Sequence, residues 1–233
     1  MTTSGTTTFN PDLTEIVEEA FERAGSELRT GYDLRTARRS LNLMFAEWAN
    51  KGLNMFTYDQ GTINLVAGTA TYALPTDTVD LLEHVIRTGS GSASTQADLT
   101  ISRISVSTYA TIPNKLQQAR PIQVWVQRGV TNPNITVWPV PDDTQSYIFV
   151  YWRLRRMQDA GTGTNTMDMP FRFYPVMVAG LAYHLALKLP NGMERLPMLK
   201  QQYDEAWELA STEDREKASQ RFVPRPMFIG SGT

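Results

Sequence analysis

Cysteine is absent from the 233 residues, which removes disulfides, thiolate metal sites and cysteine nucleophiles together. Histidine is almost absent. His84 sits in a strand-like run and His184 in an apolar helical run. Neither has a ligand-rich segment beside it, so both read as structural, and no metal or cofactor is expected. No G-x-S-x-G elbow presents a serine nucleophile. The glycine-serine stretch from Gly89 lacks the lysine and following helix of a phosphate loop, and reads as a mobile hairpin tip. Without a catalytic constellation, the chain is not expected to be an enzyme. No apolar run reaches the roughly 18 residues of a membrane span, and MTTSGTTTFN is not a basic segment followed by an apolar one. A soluble chain with no signal peptide and no membrane contact is expected. Charge of one sign is also missing. Lys+Arg 22 against Asp+Glu 24 leaves −2, too balanced for a protein that holds nucleic acid through its phosphates.

Apolar residues are plentiful, at 41%, enough for one large core or two small ones. They fall first into helical stripes. Asn10-Pro11 reads as a helix start, followed by Leu13, Ile16, Val17, Ala20, Phe21 and Ala24 and a stop at Gly25. From Asp33 a second stripe, Leu34, Ala37, Leu41, Met44, Phe45 and Trp48, spans a face about 100° wide and ends at Gly52. The polar sides differ in sign: Glu15, Glu18, Glu19 and Glu22 on the first helix, Arg35, Arg38 and Arg39 on the second. Exposed charge runs are ordinarily solvated. The alternative is that the two faces meet, within a subunit or between copies.

Between Met55 and about Arg156 the period changes from 3.6 to 2. Ile63 and Leu65, Tyr72 and Leu74, and Ile122, Val124 and Val126 against Gln123, Trp125 and Gln127 read as strands. NITVWPV and YIFVYWRL are apolar on both alternating sets, as for strands covered on both faces. Trp125 lies on the polar alternation and is a candidate interface anchor, equally accounted for by packing between sheets. After GTGTNT from Gly161, helical patterning returns. Phe173, Val176, Met177, Gly180, Leu181, His184, Leu185 and Lys188 share one side of a helix that is apolar nearly all round, which suggests burial from several directions, a neighbouring subunit among them. A last helix over about 193–212 turns Leu196, Leu199, Tyr203, Ala206 and Ala210 inward.

The expected fold class is α+β. The N- and C-terminal parts form a four-helix-type bundle into which an antiparallel β-sandwich or barrel is inserted. The expected divisions are a flexible arm over 1–9, bundle over 10–54 and 168–212, a β domain over 55–160, and an extended arm over 213–233. In that arm Pro224 and Pro226 disfavour helix. Phe222, Val223, Met227, Phe228 and Ile229 are suited to lying in a groove or extending a partner's sheet edge.

The runs ARRSLNLMFAEWANKGLNMFT, RPIQVWVQRGVTNPNITVWPVPDD followed by YIFVYWRLR, and LAYHLALKLP with MLKQQYDEAWELAS resemble the head-to-tail adaptors of short-tailed bacteriophages. Head-completion and tail tubular A proteins are among them. The resemblance extends over about 10–212 in the same helix, sheet, helix order. It implies a structural virion protein at the head-tail junction, assembled in the host cytoplasm as a homo-oligomeric ring, usually dodecameric. Its implied partners are itself, the portal protein above, a tail nozzle of the tail tubular B type below, and double-stranded genomic DNA passing through without specific contact. It also implies that the carboxyl-terminal arm docks on portal through Arg221, Phe222, Val223, Pro224, Arg225, Pro226, Met227, Phe228 and Ile229. Two other functional classes remain: a cell-wall hydrolase using the glutamates of the first helix, and a carbohydrate-binding β module of a tail.

Overall fold

The computed structural model describes residues 3–51, 55–129 and 131–214. They form a mixed α+β structure with five helices and two four-stranded sheets. Helix α1 spans Leu13–Ala24. Its N-cap is Asp12 and not Asn10. Asp12 accepts from the Glu15 amide at 2.9 Å while the Glu15 carboxylate accepts from the Asp12 amide at 3.0 Å. That reciprocal box satisfies two free amide donors. Asn10 could not build it, because the residue three positions on is Leu13. Asn10 instead accepts from the Tyr174 hydroxyl. The next free amides, Leu13 and Thr14, donate to the carbonyls of Asn165 and Gly163 at 3.1 and 3.2 Å, so the loop after the sheets closes the helix start. At the other end Gly25 takes φ 84°, and the Ser26 amide reaches back to the Phe21 carbonyl at 2.9 Å. Glycine adopts this left-handed turn without Cβ strain.

Helix α2, Gly31–Lys51, begins two residues before its expected start, after Thr30 and Asp33 have exchanged side-chain to backbone bonds of 3.0 and 3.3 Å. The expected stop at Gly52 lies outside the described residues. Ala37, Leu41, Met44, Phe45 and Trp48 are buried, with Leu34 packed against them. Helix α4, Tyr174–Ala186, and helix α5, Leu196–Glu213, complete the helical part. Helix α4 ends at Ala186, a few residues before Pro190-Asn191-Gly192. Ten of its residues are buried, which fits its place in contact with α1, α2 and α5. These three neighbours within the chain account for its all-round apolar character. Gly180 permits the close approach: a Cβ there would stand 2.5 Å from Met44 Sδ and 2.8 Å from the Tyr203 ring.

One aromatic cluster joins the ends of the chain. Trp48 lies 5.2 Å from Trp207 and 6.0 Å from Phe173 between ring centroids, and its Nε1–H donates to the Tyr203 hydroxyl at 2.7 Å. Lys51 Nζ, 4.7 Å from the Tyr203 ring and 4.9 Å from that of Trp207, closes the cluster on its outer side.

The strands are β1 Tyr58–Asn64, β2 Thr71–Ala73, β3 Thr78–Thr88, β4 Ala97–Thr100, β5 Ser102–Ile104, β6 Gln123–Gln127, β7 Asn134–Trp138 and β8 Tyr147–Arg155. One sheet runs β1-β8-β3-β4 and the other β2-β7-β6-β5. Neither closes on itself, so the barrel alternative is excluded. The all-antiparallel expectation also needs correction, because β5 and β6 pair in parallel. The crossover between them contains the short helix α3, Val106–Ala110, capped by Ser105. A parallel pair requires such a crossover. Leu81, Ile86, Tyr147, Phe149 and Tyr151 of the first sheet share one cluster with Val124, Ile135 and Val137 of the second. The stretch from Gly89 forms the turn between β3 and β4, where the Ser92 amide donates to the Gly89 carbonyl at 3.3 Å.

Where sheet meets helices, arginine and aromatic contacts fix the junction. Arg153 of β8, 7% exposed, donates to Asp59 of β1 at 2.8 and 3.2 Å, to Thr78 at 2.9 Å and to Asp77. Arg155 reaches Asp168 at 3.0 Å, which also accepts from the Gln158 amide at 3.1 Å. Burial pushes the Asp168 carboxyl up, but these donors outweigh it and hold the group below its ordinary value. Phe56 packs on Phe173 with ring centroids 5.1 Å apart, and Asn42 of α2 accepts from the Ala160 amide at 2.9 Å.

Candidate assembly surfaces

Two charged faces remain on the outside of the helical part. On α1, Glu15, Glu18, Glu19 and Glu22 are all exposed. Glu15 is engaged in the helix cap, and Glu19 pairs with Arg23 at 2.8 Å one turn on. Glu18 and Glu22 have no ion pair among the described residues. All four line an open groove of about 1060 Å³ whose floor and far wall are apolar: Phe9, Pro11, Phe171, Tyr174, Pro175 and Val178. Phe9 is 79% exposed and Phe171 76%. The groove could not be read from the α1 sequence, because its apolar wall comes from the amino-terminal segment and from the start of α4, more than 140 residues away in sequence. The available signals were Phe9 and Phe171, aromatic residues that lie outside the stripes of α1 and α4.

The second face is basic. Arg35 and Arg39 of α2 are exposed and have no ion pair among the described residues, while Arg38 is half-buried with its Nε unpartnered. Lys188 stands nearby and donates to Ser40 Oγ at 2.6 Å. Its pKa is lowered by burial and by the positive charge of Arg39. Tyr32 and Leu43, 69% and 65% exposed, belong to the same helix and were not singled out from the sequence. The acidic and basic faces do not meet within the chain: among the described residues no ion pair joins Glu15, Glu18, Glu19 or Glu22 to Arg35, Arg38 or Arg39.

Trp125 is half-buried, and Tyr109 of α3 stacks on its ring with centroids 5.0 Å apart. The docking segment read at the carboxyl end, Arg221, Phe222, Val223, Pro224, Arg225, Pro226, Met227, Phe228 and Ile229, lies outside the described residues. The last described residue, Asp214, is bonded to Arg172, beside the Phe171 edge of the groove.

The histidines occupy separate surroundings. His84 of β3 stacks on Phe149 at 6.0 Å, and His184 of α4 lies 3.9 Å from Glu47. Burial lowers the pKa of both, against the opposing charges of Glu83 and Glu47 respectively. Among the described residues no group of three or more His, Cys, Asp or Glu is placed to hold a metal ion, and no helix is long and apolar enough to cross a membrane.

Compared with family models, residues 11–225 match the SU10 adaptor protein. The chain belongs to that family. It is a phage head-to-tail adaptor. No curated protein matches it. The SU10 adaptor match spans both helical ends and the intervening sheets, so it covers the whole described fold except the segment before Pro11. An SU10 adaptor is a structural protein of the phage particle that interacts with other head and tail proteins.

Proposed function

We propose that this adaptor forms a homo-oligomeric ring, a dodecamer, between the portal protein and a tail nozzle, and that the ring lines the channel through which the genome is ejected. The observation that carries the reading is the pair of charged faces on the helical part, opposite in sign and joined to each other by no ion pair among the described residues, in a member of an adaptor family. Such faces suit a heterologous contact, which closes into a ring when repeated by rotation. The net charge of −2 fits a conduit, since repeated phosphate contacts around a ring would hold the DNA.

The helices α1, α2, α4 and α5 act in this reading as one bundle over 10–54 and 168–212. The two sheets act as a sandwich-like inserted domain over 55–160. Glu15, Glu18, Glu19 and Glu22 face Arg35, Arg38 and Arg39 of the neighbour. Residues 213–233 form the arm that docks on portal, with Arg221 and Arg225 meeting acidic groups and Phe222, Val223, Met227, Phe228 and Ile229 filling clefts between portal subunits.

Sedimentation of the purified chain, alone and with portal, tests the reading. A complex with portal is expected, and it is expected to disappear when residues 219–233 are deleted while the circular dichroism spectrum is retained. A truncated chain that still caps portal with unchanged affinity would refute the arm. A full-length chain that never associates with portal would refute the adaptor position.

A further inference from the structure

The acidic face and the basic face carry more than charge. At about 100° per residue, Tyr32, Arg35, Arg39 and Leu43 fall within an arc of about 80° on α2. All four are exposed. Two arginines are therefore flanked along one line by two large apolar side chains. The α1 groove has a complementary composition: its lining brings the four carboxylates together with Phe9, Phe171, Tyr174 and Pro175, and the cation in that lining, Arg23, is already paired with Glu19. Spacing agrees as well. Arg35 and Arg39 are about 6 Å apart along their helix axis, as are Glu18 and Glu22 along theirs.

Resting on the ring reading above, we infer that the α1 groove is the socket for α2 of the adjacent copy. Arg39 of one subunit meets Glu18 of the next, and Arg35 meets Glu22. Tyr32 and Leu43 pack against Phe9 and Phe171, so that the apolar pair supplies contact area and the charges set register. Arg38, about 60° outside the arc and half-buried within its own subunit, stands at the edge of this contact and not on its line. A second copy is the occupant because one contact of this kind covers two faces of opposite charge that no ion pair joins among the described residues, and because a head-to-tail ring brings different faces of neighbouring copies together. The rival occupant is the chain's own carboxyl-terminal segment, which also carries arginines and apolar residues and starts from Asp214 near Phe171.

The absence of cysteine makes the test direct. The full-length double variant Glu18→Cys with Arg39→Cys, assembled with portal and mildly oxidised, is expected to give a ladder of covalent multimers on a denaturing gel. Each single variant is expected to stay monomeric on that gel. Sedimentation of the wild-type chain with portal reports separately on the ring. Assembly at wild-type level with no ladder overturns the socket and leaves the ring intact. A crosslink of Glu18→Cys to Arg221→Cys in place of Arg39→Cys overturns it in favour of the carboxyl-terminal segment. Failure of the wild-type chain to assemble removes the ring and the socket together. As a check on folding, Tyr32→Ser with Leu43→Ser is expected to keep the monomer's melting curve while weakening assembly at least tenfold; unchanged assembly would overturn the apolar half of the contact.

Discussion

Replacing Trp48 with alanine tests the core of the helical part most severely. The side chain is fully buried, 0% exposed, and touches the rings of Phe45, Phe173 and Trp207. Truncating a buried aromatic costs about 3–5 kcal/mol, the larger values where neighbours cannot collapse into the space. Collapse is restricted here, because Phe173 is held by Phe56 and Tyr203 by Lys51. A loss near 4 kcal/mol is a large share of the roughly 5–15 kcal/mol that stabilises most domains. At about 2–4 °C per kcal/mol for a chain of this size, the melting temperature should fall by about 8–16 °C. Trp48→Phe separates packing from polarity. It keeps a ring but loses the 2.7 Å bond to Tyr203, whose hydroxyl still accepts from Lys51 at 3.1 Å, so it should cost only about 1–2 kcal/mol. Thermal and urea unfolding followed by far-ultraviolet circular dichroism measure both. If Trp48→Ala melted within about 2 °C of wild type, the interior placement of this α2 face would be refuted.

Gly180→Ala should destabilise despite alanine's helix preference of about 1 kcal/mol, because the new methyl meets buried Met44 and Tyr203 and overpacking costs about 1–3 kcal/mol. A variant more stable than wild type in urea would show that these neighbours give way. Acidification should act in two steps. His84 and His184 are held by burial below the ordinary 6.5, so the unfolded chain takes up their protons first. Stability should fall as pH drops below 6.5 and level off below their folded-state values. Asp77 and Asp98 are held by Arg153 and Arg87 below the ordinary 3.8, and what they contribute is present above 3.8 and lost as pH falls through their folded-state values. Urea midpoints between about pH 8 and about pH 3 measure both steps, and a flat midpoint from about pH 7 to about pH 5 would show the histidines to be solvated.

The helical part was legible because α1 and α2 each bury one stripe and α4 is apolar nearly all round. Six of six expected apolar positions in α1 are interior, and the α2 stripe fails only at Leu34, which is partly exposed. Trp207 escaped notice because it lies beside the α5 stripe and not on it, and its packing depends on Trp48 from the other end of the chain. Strands β1, β2, β6, β7 and β8 were legible in the sequence, but their order in the sheets was not. Strand β8 pairs with β1 and β3, and no local pattern states a pairing across 94 residues such as Asp59 with Arg153. The parallel pair β5 and β6 gave no signal, since β5 is three residues long and none of them is buried. The charged faces were visible as helix periodicity. The groove between the acidic face and its apolar wall was not, because three separated segments build it.

In the sheet register Tyr58 sits opposite Leu154, so the chain leaves the helices and returns to them on neighbouring strands. Seen from the helices, everything between these two residues is a closed loop whose ends stand one strand spacing apart, about 4.8 Å. A loop anchored in this way can gain or lose a hairpin at its far end without changing the separation its anchors must span. The sheets and the helices are therefore coupled through one strand spacing, and a change at the far end of the sheets leaves the helices' own geometry untouched.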